Sequence, residues 1–257
     1  MTMNRKTATE GLRTERNTRG PYGLEIIESC TACPISKDGL FCHLPPATLA
    51  ELDAIRQIAI YPKGSLLFVE TEAPRGIFIL CAGCAKLTTS SPTGREVILR
   101  LAERGEVLGL SAAMANVTYG LTAETLEPCQ VNFLPRAEFL RLLQRHPEVA
   151  RRVAHHLSSE LHTAYTQIRR MALAPTARIK LAGLLRDWAQ LKGEPTARGL
   201  RFRLPLTHSE IGELIGASRE TVTRLLGDFQ RAGILQVKGN SFLLIQLARL
   251  ETLLAAI

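Results

Sequence analysis

Thr207-His208-Ser209-Glu210-Ile211-Gly212-Glu213-Leu214-Ile215-Gly216-Ala217-Ser218-Arg219-Glu220-Thr221-Val222-Thr223-Arg224 carries two helix starts and one helix stop in a single short stretch. A hydroxyl at Thr207 with Glu210 three residues on is a capping box, which satisfies amide groups left free at a helix start. Ile211, Leu214 and Ile215 then share one helical face. Gly216 stops that helix, and Ser218 caps a second, Arg219 to Arg231, with Val222, Leu225, Leu226 and Phe229 turned inward. Two short helices across a glycine turn predict a helix-turn-helix. Ile234–Val237 and Phe242–Ile245, joined through Lys238-Gly239-Asn240, predict a β-hairpin wing beside it.

Such a unit enters the major groove with the N-terminal end of its second helix. Here that end offers Arg219, Glu220, Thr223 and Arg224. Arginine matches guanine O6 and N7, glutamate accepts from cytosine N4, and threonine touches a base or a thymine methyl. The hydroxyls of Thr207 and Ser218 are expected to donate to phosphates. Charge agrees with a polyanionic partner: the net +8 divides into +3 over residues 1–20, −4 over 21–135, +4 over 136–171 and +5 over 172–257.

Upstream, Ala174-Pro175 reads as a hinge. Thr176 to Leu191 forms an amphipathic helix closed by Gly193. Val149, Val153, Leu157, Leu161, Ala164, Ile168 and Met171 recur at steps of three and four, and from Leu157 onward this is a coiled-coil seam. Val153, Leu157, Leu161, Ala164, Ile168 and Met171 are the expected homodimer contacts, with packing on the chain's own β domain as the alternative. From Ile60 to Leu134 short apolar runs alternate with turn signals such as Pro62-Lys63-Gly64 and Ser91-Pro92-Thr93-Gly94, predicting an all-β roll. Pro45 to Ile58 suits a short helix. The α+β organisation expected is a tail (1–24), a cysteine-bearing segment and β-roll sensor domain (25–135), helices including a dimerisation helix (136–173) and a winged helix-turn-helix (174–257). The chain's 257 residues, 46% hydrophobic and 22% charged, are ample for such cores. No apolar run is long enough to cross a membrane. With a polar, basic start in place of a secretory signal, the expectation is a cytoplasmic protein.

The order of β-roll, long helix, hinge and winged helix-turn-helix resembles the CRP/FNR family of bacterial transcription regulators. Ile211 to Arg224 carries the resemblance, with Gly64-Ser65-Leu66-Leu67-Phe68, Ile77-Phe78-Ile79-Leu80 and Gly105-Glu106-Val107-Leu108-Gly109 on the sensor side. It implies a homodimer on a palindromic promoter site, contact with RNA polymerase, and reading of a GA step by the positions matching Glu220 and Arg224. Cyclic-nucleotide binders of the family hold ribose with a Glu and phosphate with an Arg-Ser pair. The matching stretches here are Gly109-Leu110-Ser111 and Tyr119-Gly120, which lack both anchors, so cyclic AMP is not the expected effector.

Cysteines offer another effector. Cys30 and Cys33 have CxxC spacing, Cys42 follows, and Cys129 lies far along the chain. Four thiolates suit an iron–sulfur cluster or a structural zinc. Three clustered cysteines plus one late β-roll cysteine resemble the oxygen-sensing FNR branch of the family, which implies a [4Fe–4S] cluster on Cys30, Cys33, Cys42 and Cys129. The Cys33–Cys42 spacing is longer than in that branch. Zinc completed by His43, a reversible disulfide, a haem and a core role for Cys129 stay open. Cys81 and Cys84 flank Ala82-Gly83, read here as a hairpin turn that sets the two across from each other. The CxxC precedes β structure rather than a βα unit, which argues against a thiol–disulfide enzyme.

Overall fold

The computed structural model describes residues 20–33, 39–91, 94, 96–173 and 176–255. The expected tail up to residue 19, the Ala174-Pro175 hinge and the Met171 side chain lie outside the described positions.

In chain order the elements are α1 (Pro46–Ile55), β1 (Gln57–Tyr61), β2 (Leu66–Phe68), β3 (Gly76–Ala82), β4 (Cys84–Ser90), β5 (Glu96–Glu103), β6 (Val107–Leu108), α2 (Leu110–Ala115), β7 (Thr122–Thr125) and β8 (Cys129–Pro135). Then come α3 (Arg136–Arg145), α4 (Pro147–Leu173), α5 (Ala177–Lys192), β9 (Glu194–Thr196), β10 (Gly199–Arg203), α6 (His208–Ile215), α7 (Arg219–Arg231), β11 (Leu235–Lys238), β12 (Ser241–Leu244) and α8 (Leu247–Ala255). The sensor roll stacks two antiparallel sheets, ordered β1-β8-β3-β6 and β2-β7-β4-β5. The wing sheet runs β11-β12-β10-β9. The β9–β10 hairpin and α8 were not read from the sequence pattern, because each is short.

Strand alternation divides the sensor core into two. On β8, Cys129, Val131 and Phe133 face the roll interior, where Phe68, Phe78, Leu80 and Tyr119 fill the space. Tyr119 stacks on Phe68 at 4.2 Å between ring centroids. On the outer face, Ile77, Ile79, Cys81 and Leu134 pack against Phe139 and Leu142 of α3 and Val149 and Val153 of α4. Burial of such side chains stabilises the fold by about 1.5–3 kcal/mol each. Val153 is therefore a correction: at 1% exposure it is consumed by its own chain and does not belong to the seam. Leu157 is half-buried on the same core. Beyond it Leu161, Ala164 and Ile168 are exposed, together with Tyr165, which the seam reading overlooked.

A second correction concerns Cys81 and Cys84. They do not face each other across a hairpin, because β3 and β4 belong to different sheets. Alternation along β3 turns Cys81 outward with Ile77 and Ile79, and the chain crosses to the other sheet at Gly83 (φ 88°). Cys84 enters a third core with Ile98, Leu126, Trp188, Ile211 and Phe229, which joins the roll to the helix-turn-helix domain. Ile58 lies in β1 rather than in the first helix, which ends at Ile55.

Candidate DNA-reading face and cysteine centre

The capping box forms as the sequence predicts. Thr207 Oγ1 accepts from the Glu210 amide at 3.2 Å, and Glu210 Oε2 accepts from the Thr207 amide at 2.8 Å. Thr207 also donates its hydroxyl to Glu210 Oε2 at 2.9 Å, so that proton is committed to the cap. Gly216 closes α6 in the left-handed region (φ 69°), open to glycine at little cost. Gly212 lets the turn come close: a Cβ there would meet the Ala217 carbonyl oxygen at 2.5 Å. Ser218 Oγ then caps α7 by accepting from the Thr221 amide at 3.2 Å.

Val222, Leu225, Leu226 and Phe229 are buried, so helix periodicity turns Arg219, Glu220, Thr223 and Arg224 to solvent together. Thr223 Oγ1 donates to the Arg219 carbonyl at 2.9 Å and lies 2.9 Å from His208 Nδ1. His208, which the sequence reading passed over, thus ties the start of α6 to the reading helix. Glu220 turns to the helix start. Its own amide and then the Ser218 hydroxyl hold its carboxyl below the usual range. Among the described residues no ion pair joins Glu220 to Arg224.

The cysteine segment is clamped onto the sensor. Buried Gln130 accepts from the Ile27 amide at 2.8 Å and donates to the Ile27 carbonyl at 2.7 Å. Asp53 accepts from the Cys30 amide at 3.0 Å and from the Ser29 hydroxyl at 2.7 Å. Arg56 pairs with Asp53 and donates to Asn132 Oδ1 at 2.9 Å and to the Glu28 carbonyl. Asn132 Nδ2 in turn lies 3.8 Å from Cys30 Sγ. None of Gln130, Asn132, Asp53 and Arg56 was singled out from sequence. The period-2 alternation of β8 carried the signal for the first two.

Cys30, Cys33 and Cys42 are half-buried, whereas Cys81, Cys84 and Cys129 are buried. Burial pushes the Cys30 thiol up to about 12, with Arg56 opposing and Asp53 reinforcing. Burial also pushes Cys81 up to about 12; Cys33 and Cys42 add to this and Arg56 opposes. Cys129 is not with them. It points into the roll interior, where its thiol contacts the carbonyl oxygens of Glu127 at 3.2 Å and Cys84 at 3.4 Å. Strand parity puts Cys129, the expected fourth ligand, on the face opposite Cys30. Among the described residues no three His, Cys, Asp or Glu side chains stand close enough to hold a metal ion.

Comparison with known proteins adds to this geometry. Residues 59–146 match the cyclic nucleotide-binding domain family, and residues 179–253 match the Crp-like helix-turn-helix domain family. The regulatory protein HlyX of Actinobacillus pleuropneumoniae is 28% identical over 212 residues, covering 82% of this chain and 88% of that one. The chain belongs to the CRP/FNR family of transcription regulators. Other relatives of this CRP/FNR regulator are the transcriptional activator FnrL of Cereibacter sphaeroides and the CRP-like cAMP-activated global transcriptional regulator of Mycobacterium tuberculosis. FnrL is 27% identical, covering 86% of this chain and 89% of its own. The mycobacterial protein is 26% identical, with 84% and 96% covered. The structure of FixK2 from Bradyrhizobium japonicum superposes with a TM-score of 0.69 at 23% identity, over 77% of this chain and 97% of that one, which shows the shared fold. Leu110 and Tyr119 are both buried. The Tyr119 hydroxyl donates to the Gly76 carbonyl at 2.8 Å. No helix among the described residues is long and apolar enough to cross a membrane.

Proposed function

We propose that this DNA-binding regulator works as a homodimer on a palindromic promoter site, beside RNA polymerase in the cytoplasm. In this reading a cysteine-bound, oxygen- or redox-sensitive iron–sulfur centre gates it. The observation that carries the gating is the clamp just described: buried Gln130 and the Asp53–Arg56–Asn132 network fix the Cys30 segment to the sensor sheet. A loose tail would have no need of those buried partners. Thiols are the right donors for iron–sulfur chemistry, and a bound cluster would supply an oxygen-labile group. Exposed Leu161, Tyr165 and Ile168 on α4 support the dimer, since three large apolar side chains on one stripe are left uncovered by their own chain. Cyclic AMP is not the proposed effector, because aromatic rings fill the roll interior.

The test is purification without oxygen, followed by iron and sulfide analysis and DNA-binding titrations before and after exposure to air. Cluster content with an affinity change of tenfold or more on air exposure is expected. A chain that binds DNA identically with and without iron and sulfide would overturn the gating.

A further inference from the structure

We propose that Cys81, and not Cys129, is the fourth thiolate of the centre, acting with Cys30, Cys33 and Cys42. The assignment rests on the cysteine-bound centre proposed above and names its missing ligand.

Three geometric facts support it. First, Cys81 shares the outer-face core with Cys30, alongside Phe41, Leu44 and Ile27. Second, alternation along β3 puts Cys81 on this face with Ile77 and Ile79, on the strand next to the one that carries Asn132. Asn132 Nδ2 contacts Cys30 Sγ, so the two neighbouring strands present Cys81 and Asn132 toward the Cys30 segment. Third, Cys42 stands near the Gly105 turn, which is bonded to the residue before Cys81. A Cβ on Gly39 would lie 2.7 Å from Cys42 Sγ and 3.0 Å from the Gly105 carbonyl, while the Gly105 amide donates to Leu80, the neighbour of Cys81. Cys129 is sealed away from all of this. A Cβ on Gly83 would come within 2.5 Å of Cys129 Sγ, so the β3–β4 crossover lies directly on it.

Ligation needs no change of oxidation state. A preformed cluster carrying small thiolates exchanges them for protein ligands. Each cysteine S–H gives up its proton to a departing small thiolate, which leaves as the free thiol, and an iron–sulfur bond to the cysteine replaces the one lost. Because the sulfurs are not at chelating separation as described, loading draws the Cys33 and Cys42 sulfurs toward Cys30 and Cys81. Cys81 lies five positions before Lys86, and that residue holds the helix-turn-helix domain (Discussion).

The experiment offers the full-length chain, without oxygen, a synthetic [4Fe–4S] cluster with small-thiol ligands, removes unbound cluster, and counts iron and sulfide per chain. Wild type, C129S and C84S should each retain about four of each. C81S should fall below one. The double variant C81S/N132C should regain most of the loading, since it returns a thiol to the same face beside Cys30; that recovery also shows that C81S folds. C81S loading fully while C129S loads nothing would overturn the assignment. Wild type taking up no cluster would instead overturn the centre itself.

Discussion

Lys86 of β4 joins the two domains through Glu210, the capping-box carboxylate of α6. Its ammonium lies 3.4 Å from Glu210 Oε1 and 3.2 Å from Glu124 Oε2, with the lysine only 7% exposed. The same carboxylate that caps α6 is thus the one the sensor sheet holds. Lys192 repeats the link with Glu103 at 2.9 Å, and the shared core of Cys84, Ile98 and Leu126 with Ile211 lies between. Lys86→Met should leave Glu124 and Glu210 facing each other without a cation, costing about 1–3 kcal/mol. Denaturant melts of Lys86→Met, Glu210→Gln and the double variant measure the pair directly. Strict additivity would show that the contact couples nothing.

The same pair sets an acid limit. Burial works to raise the Glu210 carboxyl, yet the Thr207 amide and hydroxyl, with Lys86, hold it below its ordinary value. A depressed folded pKa contributes stability that is present above the unfolded value, about 4.3 for Glu, and is lost as pH falls through the folded value. Asp53, also held down by donors that outweigh its burial, adds to the same window. Wild type should therefore lose stability between about pH 5 and 3, and Glu210→Gln should flatten part of that slope. Parallel stability curves for the two proteins would contradict the assignment.

The long helix divides its labour at Leu157, and two substitutions separate the halves. Val153→Ala opens a cavity in the chain's own core. It should cost about 1–3 kcal/mol with no change in oligomeric state. Leu161→Glu, at a side chain 56% exposed, should leave the fold of each chain intact and dissociate the proposed dimer. Analytical ultracentrifugation reads both. A Leu161→Glu protein that stays dimeric near its DNA-binding concentration would rule out the seam.

The helix-turn-helix was legible because its signals are local: a hydroxyl, a glutamate three residues on, a glycine and a second hydroxyl act within one turn of chain. The cysteine centre was not, because its geometry depends on which face of a strand each residue takes. In Cys129-Gln130-Val131-Asn132-Phe133 the apolar Val131 and Phe133 already place Cys129 inside by period-2 alternation. Alternation along β3 likewise turns Cys81 outward with Ile77 and Ile79; what no local pattern revealed is that β3 lies next to β8, which sets Cys81 beside Asn132. The interdomain Lys86–Glu210 link spans 124 positions and leaves no periodic trace.

Base reading yields the last prediction. A two-fold dimer sets its reading helices about 34 Å apart, so half-sites should lie about 10 bp apart centre to centre. Arg224 is exposed on the same face as Arg219 and Glu220, free to donate to a guanine, while the Thr223 hydroxyl is already engaged by the Arg219 carbonyl. Glu220, held at the helix start in the free protein, must leave Ser218 to accept from a cytosine, so its contribution is reduced by the cap it gives up. Arg224→Ala should cost about 1–3 kcal/mol per half-site and relax preference at one guanine, whereas loss of a phosphate contact would weaken all sequences alike. Thr223→Val should cost less, since its hydroxyl serves the helix and His208. Selection from a random duplex pool with wild type and Arg224→Ala decides the matter. The same half-site with the same information at every position would remove Arg224 from the reading face.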